Sequence, residues 1–525
     1  MGDNENRKVY KARQVKNYRE MVEYSCKNYA QNIAYKYKKD YTAKNIEYIE
    51  KKYEQVGKDI KAFGTGLLNL DLMGERIVVV GKNRYEWCIS YLATTCSNMV
   101  IVPIDKALPD IEMQRLIERS EAKAIIFDEK YLETIKKVQE KENSNLKTLI
   151  CMDNIQEKGI KTFNEILEEG RNQIKNGDQK YDNIEIDENK MSIMLFTSGT
   201  TNEPKAVMLS QANICANISN IACWVKLYPT DVLLSFLPIH HTFECTITFL
   251  YGFYSGSQVA FCDGLKHIQQ NLKEYKVSVF VAVPLVLETM YKKIQKAIEE
   301  QGKTGLINKM TKISNTLLKA KIDIRKIVFK QILDNFGGNL RVVLYGAAPM
   351  NKATIIGYNN LGISLVQGYG LTETSPVVTA ETDKEKRPGS IGLALANLNL
   401  KIANPDNEGV GEITVKGPSV MLGYYKNPEE TKKVLKDGWF STGDYGYKDK
   451  DGFVYITGRK KDIIVLKNGK NVYPQEIEFL INKIPYIAES LVYSRDKDTT
   501  DTMLCAKIVY DKDTIKQMIG EKTEE

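Results

Sequence analysis

The chain has 525 residues, of which 43% are hydrophobic and 27% are charged, as in an ordinary globular protein with room for more than one domain. Its nine Cys residues occur singly, without C-x-x-C pairs or paired Cys/His spacing, which excludes zinc and disulfide frameworks and favours a reducing, cytoplasmic compartment. The net charge of +7 is compatible with an anionic ligand and excludes a typical nucleic-acid-binding protein.

Apolar runs alternate with helical patterns in the first part of the chain, which is typical of an α/β domain with a largely parallel sheet. The polar N-terminus predicts neither a secretory signal nor myristoylation. The longest uncharged run, 87–104, carries polar residues and predicts a buried helix followed by a strand, so no transmembrane segment is expected. Segment 131–190 is charged and predicts surface helices and loops. Strands are predicted at 76–83, 99–105, 122–129, 191–196, 231–236, 277–284, 340–346 and 364–370.

Segment 286–330 is the most basic part of the chain, with 11 Lys/Arg against 4 Asp/Glu. Its apolar residues recur near helical spacing, which favours a surface helix whose apolar face packs on the sheet. A second interpretation stays open, in which a basic amphipathic patch contacts an anionic membrane surface and makes the protein membrane-peripheral. The same basic residues could also attract coenzyme A phosphates.

Beyond about Ile391 the pattern changes to short runs separated by Gly, Asp and Asn, which predicts hairpins in a small barrel or antiparallel sheet. A basic turn, RKKD, follows Gly458, and after it comes a strand-helix-strand pattern. We therefore predict a large domain over 1–457 and a small domain over 458–525.

The loop in LFTSGTTNEPKAVMLS (195–210) resembles a phosphate-binding loop but departs from the P-loop pattern. Pro204 precedes Lys205 where a Gly is needed, and Ala206 follows it where the Mg²⁺-binding Ser or Thr would stand. These departures argue against a P-loop kinase or ATPase. Backbone N–H groups, hydroxyls and one Lys can still hold phosphate oxygens, although a plain Ser/Thr turn between two strands fits the composition as well.

Further motifs favour the phosphate-binding loop over the plain turn, because they resemble those of a known family. TSGTTNEPKAV resembles the phosphate loop of the adenylate-forming superfamily, which includes acyl-CoA synthetases, peptide-synthetase adenylation domains and luciferases; Asn202 and Ala206 stand where that family usually has Gly. LPIHHTFE (237–244), YGAAPM (345–350), QGYGLTET (367–374), STGD (441–444), GRKKD (458–462) and NGKNVYPQEIE (468–478) follow in the family's order. The resemblance spans roughly 25–510 and is strongest to long-chain fatty acid–CoA ligases.

That resemblance implies both a fold and a reaction. The expected fold is α/β, with a large N-terminal domain of stacked α/β sheets and a small β-barrel-like part, followed by a small α+β C-terminal domain. In the expected reaction ATP and Mg²⁺ convert a fatty acid to an acyl-adenylate and pyrophosphate, and the thiol of coenzyme A then displaces AMP. Transfer to a carrier-protein thiol, or nucleotide binding with weak adenylation, remain alternatives, and a homodimer is left open.

The resemblance also assigns roles to individual residues. Lys205 and the hydroxyl loop would hold the departing pyrophosphate, Thr197 and Glu373 would bind Mg²⁺, and Asp444 would accept the ribose hydroxyls. The catalytic residues implied are Lys205, His241, Glu373, Arg459 and Lys461. The nucleotide-binding residues implied are Thr197, Ser198, Gly199, Thr200, Thr201, Lys205, Gly346, Ala347, Ala348, Gln367, Gly368, Tyr369, Gly370, Thr372, Asp444, Arg459 and Gly469.

The C-terminal part departs from the family. Family members carry a Lys there that reaches the substrate carboxylate and the α-phosphate, and the tail DKDTIKQMIGEKTEE contains no convincing motif for it. Lys522 lies in a polar end that would fray, so it is not assigned. The small domain is therefore expected to be incomplete, and adenylation is expected to be slow.

Overall fold

A computed structural model describes residues 7, 9–197, 203–465, 471–482, 484, 486–497, 501–512 and 515–516. Its helices are α1 Tyr18–Asn28, α2 Tyr53–Leu68, α3 Tyr85–Cys96, α4 Asp110–Ser120, α5 Leu132–Gln139, α6 Phe163–Lys175, α7 Gln211–Ala222, α8 Gly252–Tyr254, α9 Ile268–Glu274, α10 Pro284–Glu300, α11 Thr304–Lys319, α12 Arg325–Val328, α13 Lys330–Leu333, α14 Lys352–Leu361, α15 Pro428–Val434 and α16 Pro474–Ile481. A π-helix covers Glu244–Tyr251.

The strands belong to two large sheets, one smaller sheet and two hairpins. They are β1 Ile33–Lys38, β2 Tyr48–Lys52, β3 Arg76–Val80, β4 Val100–Pro103, β5 Ala124–Phe127, β6 Thr148–Cys151, β7 Lys161–Thr162, β8 Met191–Thr197, β9 Lys205–Ser210, β10 Val232–Ser235, β11 Gln258–Phe261, β12 Val279–Ala282, β13 Val342–Tyr345, β14 Ser364–Gly370, β15 Val377–Ala380, β16 Leu393–Ala394, β17 Asn399–Ala403, β18 Gly411–Lys416, β19 Gly423–Tyr424, β20 Leu435–Lys436, β21 Trp439–Lys448, β22 Val454–Arg459, β23 Ile464–Val465, β24 Asn471–Val472, β25 Ile487–Lys497 and β26 Asp501–Tyr510.

The two large sheets confirm the predicted α/β fold. One sheet has the order β16-β15-β14-β13-β12-β10-β11-β1-β2 and the other β19-β9-β8-β4-β3-β5-β6-β7. The pairings among β10 to β14 are parallel, as are those among β3 to β6, because helices cross over between these strands, whereas β14 pairs antiparallel with β15. Each of the eight predicted strands is present. One apolar core joins both sheets through the buried faces of α3 and α7.

Segment 131–190 is more buried than its charge suggests. β6 pairs in parallel with β5 inside the second sheet, and its last three residues are buried. α6 begins with a capping box between Thr162 and Glu165 and packs Ile166 into the core against α2. The expectation of surface helices and loops was therefore wrong for β6 and for the inner face of α6, since a short strand and a narrow apolar stripe leave little periodic signal.

The region after Ile391 contains the predicted antiparallel sheet, with the order β17-β18-β21-β20 and β22 paired to β21. β22 continues through Gly458 to Arg459, opposite Tyr445 and Asp444 of β21. The β23–β24 hairpin, α16 and the β25–β26 hairpin follow. This sequence of elements agrees with a large sheet domain followed by a small C-terminal one, whereas the exact boundary at 457/458 stays a prediction.

Segment 286–330 forms α10 and α11 at the surface. Along α11 only Ser314 is fully buried, while Leu306 and Ile313 are 53% and 43% exposed. Met310 and Ile307 pack against the second apolar core. The apolar face of α11 therefore packs on the protein as the favoured interpretation predicted, but most of its side chains stay partly exposed. Within the described residues, no helix combines the length and the apolar character that crossing a membrane would require.

Candidate active site

The carboxyl ends of β13 and β14 form the floor of the site. These parallel strands pair Tyr345 with Gln367, and the Tyr345 hydroxyl donates to Gln367 Oε1 at 2.9 Å. A Cβ on Gly346 would stand 2.7 Å from the carbonyl oxygen of Gly368, so only Gly allows the two chains to approach so closely. The predicted residues of YGAAPM and QGYG thus meet at one sheet edge, where ligands of open α/β sheets commonly bind.

The turn after β13 leaves its backbone open to solvent. Ala347 has a φ of 71° and is exposed together with Ala348, so the chain departs sharply from the sheet at this point. After β14, Gly370 lies so close to the Pro376 carbonyl that a Cβ would overlap with it. Thr372 then opens a short helical turn that includes Glu373.

Tyr369, Asp444 and Arg459 form what we call the ribose cluster. The Tyr369 hydroxyl donates to Asp444 Oδ2 at 2.5 Å, and Arg459 Nε lies 2.8 Å from Asp444 Oδ1. The β21–β22 pairing places Asp444 directly opposite Arg459. Burial raises the pKa of the Asp444 carboxyl, and the Arg459 guanidinium opposes that rise. A buried carboxylate beside a half-exposed cation is well suited to accept sugar hydroxyls.

Lys205, Glu373, Tyr424 and Glu430 form a second group, the lysine cluster. Lys205 Nζ contacts a Glu430 carboxylate oxygen and lies 5.1 Å from the centre of the Tyr424 ring. The Tyr424 hydroxyl donates to Glu373 Oε1 at 3.0 Å. Lys205 also pairs with Thr197 across the β8–β9 hairpin. Tyr424 therefore contacts both Lys205, which is predicted to bind phosphate, and Glu373, which is predicted to bind the metal.

Tyr424 and Glu430 were missed by the sequence analysis. β19 pairs with β9 and sets Tyr424 opposite Val207, which carries its ring to Lys205. Asn427 caps α15 by accepting from the Glu430 backbone N–H at 3.1 Å, and Pro428 follows at the first helical position. The stretch YKNPEE signals this helix start in the sequence, but nothing local indicates that Glu430 meets a Lys more than two hundred residues away.

The residues that would hold Mg²⁺ have suitable chemistry. Mg²⁺ commonly binds one or two protein oxygens together with substrate phosphates. Glu373 has a second carboxylate oxygen beyond the one that accepts from Tyr424, and the Thr197 hydroxyl lies at the end of β8 beside the phosphate loop. No group of three or more His, Cys, Asp or Glu residues that could hold a metal occurs in the part of the chain that the structure describes.

The histidine pair lies between β10 and the π-helix, where His240 is partly buried and His241 is exposed. The two rings have centroids 4.0 Å apart, and His240 Nε2 lies 3.7 Å from Asp105 Oδ2, too far for a hydrogen bond. Partial burial lowers the pKa of His240 to about 3 and that of His241 below its usual value, which favours the neutral form of both rings. A neutral imidazole can donate or accept a hydrogen bond beside a carboxylate.

An apolar cavity lies next to the sheet edge and the histidine loop. Its lining includes Phe243 and Ile247 from the start of the π-helix, and Gln367 and Gly368 from β14. Trp224 and Leu395 add further apolar walls. The cavity therefore lies between residues that follow the histidine pair and the Gln367–Gly368 part of the predicted nucleotide site.

Other predicted residues lie at the edge of the site or outside the described ranges. Lys461 lies in the exposed turn that follows Arg459. Ser198, Gly199, Thr200, Thr201 and Gly469 fall outside the described residues.

Comparisons with known proteins identify the family to which this sequence is similar. Residues 22–425 match the family model described as AMP-binding enzyme. Long-chain-fatty-acid–CoA ligase 6 of Mus musculus is 30% identical over 504 residues, covering 90% of this chain and 71% of that protein. Long-chain-fatty-acid–CoA ligase FadD15 of Mycobacterium bovis is 29% identical, with coverages of 83% and 74%.

Solved structures share the fold. The fatty acyl CoA synthetase of Mycobacterium tuberculosis superposes with a TM-score of 0.68 and 22% identity, covering 95% of this chain and 89% of that one. MatB from Rhodopseudomonas palustris, solved with ATP bound, gives a TM-score of 0.73 and 23% identity, covering 94% and 89%.

Proposed function

The chain belongs to the AMP-binding enzyme family, and from this membership we propose that it activates a fatty acid with ATP and transfers the acyl group to coenzyme A. It is an acid–thiol ligase of the long-chain fatty acid–CoA ligase type. The observation that carries this function is the segment Gln367–Glu373, which joins the ribose cluster at Tyr369 to the lysine cluster at Glu373. One nucleotide could thus contact both clusters.

Each half of the reaction requires particular groups. In the first half, a carboxylate oxygen attacks the α-phosphorus of ATP, the α–β bridging bond breaks, and pyrophosphate leaves. Lys205 neutralises the leaving phosphates, while Asp444 and Arg459 fix the ribose. Glu373 and Thr197 would hold Mg²⁺, which would supply further positive charge at the phosphates. In the second half, the thiolate of coenzyme A attacks the acyl carbonyl and AMP leaves.

The histidine pair and the apolar cavity would receive the acid. Neutral His241 would orient the carboxylate, and the cavity beside Phe243 would accept the first part of the acyl chain. Lys461 would act as the pivot for the rotation of the small domain between the two half-reactions. Gly346, Ala348 and Gln367 would contact the adenine ring through the open sheet edge.

We predict a defined product pattern from the full chain. Incubated with ATP, Mg²⁺, coenzyme A and straight-chain acids from acetate to palmitate, it should release equal amounts of AMP and pyrophosphate and form acyl-CoA with the longer acids. Mass spectrometry of the acyl-CoA and a pyrophosphate assay measure the two products. Chelation with EDTA should abolish both.

Two outcomes would change this function. Acyl transfer to the phosphopantetheine thiol of a carrier protein, with none to coenzyme A, would favour the carrier-protein alternative. AMP binding without pyrophosphate exchange on any acid would leave a nucleotide-binding protein and would contradict the ligase function.

We further propose that the surface of α10 and α11 contacts an anionic membrane, from which a fatty acid would be drawn. Just beyond α11, Ile322 in the turn before α12 and Ile327 of α12 are 52% and 79% exposed. The same stretch of the chain, from α10 to α12, carries lysines without an ion pair among the described residues: Lys292, Lys293, Lys303, Lys309, Lys312, Lys319, Lys321 and Lys326. Exposed apolar side chains between cations suit the interface of an anionic bilayer.

Vesicle sedimentation measures this contact. Each Lys near an anionic surface contributes about 1 kcal/mol, so the K309E/K312E variant should lose anionic-vesicle binding about 10²-fold or more. The matched K137E/K175E variant changes exposed lysines of α5 and α6 and should bind like the wild type. Equal binding of the wild type to neutral and anionic vesicles would contradict the proposal.

A further inference from the structure

A glutamate lies fully buried beside the histidine pair without a cation to balance it. Glu244 is 0% exposed, and no ion pair to it occurs among the described residues. The Ser235 hydroxyl donates to its Oε1 at 2.7 Å, and the Thr248 hydroxyl donates to its Oε2 at 2.8 Å. Burial raises the pKa of this carboxyl to about 8. A buried acid is costly, so its position next to the site requires a reason.

Asn83 extends the hydrogen bonds of Glu244 to the other large sheet. This residue follows β3, and its Nδ2 donates to Ser235 Oγ at 2.8 Å and to the Leu237 carbonyl at 2.7 Å. Its Oδ1 accepts from the Ile239 backbone N–H at 3.3 Å. The side chains of Asn83, Ser235 and Glu244, which we call the loop anchor, therefore link the two sheets through a continuous chain of hydrogen bonds.

The loop anchor holds both ends of the histidine loop, residues 236–243. Ser235 ends β10 just before the loop, and Glu244 begins the π-helix just after it. Inside the loop, His241 N–H donates to the Pro238 carbonyl at 3.0 Å, and Cys245 N–H donates to the His241 carbonyl at 2.9 Å. A movement of Glu244 would thus reach the His241 backbone through the neighbouring Cys245 N–H.

The same movement would reshape the acid-binding side. Phe243 and Ile247, on either side of Glu244 in sequence, line the apolar cavity. π-helical turns are rare in proteins overall, but those that occur are often found at functional sites. We propose that Asn83, Ser235 and Glu244 are positioning residues that fix the histidine loop and the adjoining cavity wall, and so determine how the acid's carboxylate is presented to ATP. This inference rests on the proposed function.

Steady-state kinetics of four variants test the role in acid binding. Since small displacements of reacting groups reduce rates by up to about 10²-fold, E244A and N83A should raise KM for the fatty acid about tenfold or more and leave KM for ATP near its wild-type value. E244Q keeps the shape of the protonated side chain and should stay within about threefold of the wild type for both substrates.

D231N provides the matched control, because Asp231 lies beside the end of β10 opposite to Ser235. Asp231 is also a buried carboxylate before β10, and it accepts from the Ser278 hydroxyl at 2.7 Å and from Arg341 Nε at 2.8 Å. Its replacement should lower the thermal midpoint without separating the two KM values. If E244A and D231N lower activity in proportion to stability, with both KM values unchanged, the loop anchor has no positioning role.

Histidine NMR gives a readout that does not need activity. The chain has three His residues, and the third, His267, lies in a separate turn before α9. In ¹³C-histidine protein, E244A should shift the ring signals of His240 and His241 and leave that of His267 unchanged, while D231N should shift none. Unchanged signals in E244A would overturn the inference, whereas wild-type protein without ligase activity would contradict the proposed function alone.

Discussion

The Lys205→Ala variant is expected to slow adenylation about 10²- to 10³-fold, the cost of removing one group that stabilises developing charge in a buried site. Lys205 is only 15% exposed, and it is held between the Glu430 carboxylate and the face of the Tyr424 ring. These two contacts fix the position of the Lys205 ammonium group, which follows the phosphate loop in sequence. Since pyrophosphate gains charge as it leaves, the effect should appear mainly in the rate and less in ATP binding.

Pyrophosphate exchange with a saturating fatty acid measures this rate, and the Lys433→Ala variant is the matched control. Lys433 contacts the other oxygen of the same Glu430 carboxylate at 3.1 Å, but its side chain is 72% exposed. An exposed ion pair contributes at most about 1 kcal/mol, so this variant should stay within about threefold of the wild type. Equal losses in both variants would mean that Glu430, and not the phosphates, is the important partner of Lys205.

The fold was largely predictable because its strands are short, apolar and separated by helical patterns. Such strands are buried on both faces of a parallel sheet and read as continuous apolar runs, as β3, β12 and β13 do. The strand in segment 131–190 was not predicted because β6 is flanked by charged stretches on both sides. Its burial depends on pairing with β5, which is a property of the sheet and not of the local sequence.

The site was predictable where its residues lie in continuous motifs. Tyr369 lies in β14, and Thr372 and Glu373 follow that strand directly. The hairpin that pairs Asp444 with Arg459 could be expected from the alternation of Gly and apolar residues. The contacts that join these motifs could not be predicted. Tyr424 reaches Lys205 only because β19 adds to the edge of the second sheet.

Glu244 is a second residue whose environment could not be predicted from the sequence. In LPIHHTFE it is one acid after a histidine pair, and its sequence gives no sign of full burial. The burial arises because the loop connects strands of one sheet while Asn83 reaches it from the other. A polar group at such a junction is recognised only when both sheets are in place.

The Asp444→Ala variant is expected to lower kcat/KM for ATP about 10²-fold, because hydrogen bonds to a charged acceptor contribute about 1.5–3 kcal/mol each. Asp444 is 3% exposed. Removal of its carboxylate would deprive the Tyr369 hydroxyl and Arg459 of their acceptor, and the ribose hydroxyls would lose theirs too. The Asp449→Asn variant is the control, since Asp449 accepts from Arg387 near the end of the same hairpin and faces no predicted ligand.

Deoxynucleotides separate a ribose contact from a general loss of structure. In the wild type, 2′-deoxy-ATP and 3′-deoxy-ATP should each be used about tenfold or more less efficiently than ATP, because each lacks one hydroxyl that Asp444 would accept. In Asp444→Ala this difference should disappear, since the hydroxyls have lost their acceptor, whereas Asp449→Asn should keep it in full. A penalty for deoxynucleotides that persists in Asp444→Ala would place the ribose elsewhere and leave Asp444 as the group that orients Arg459.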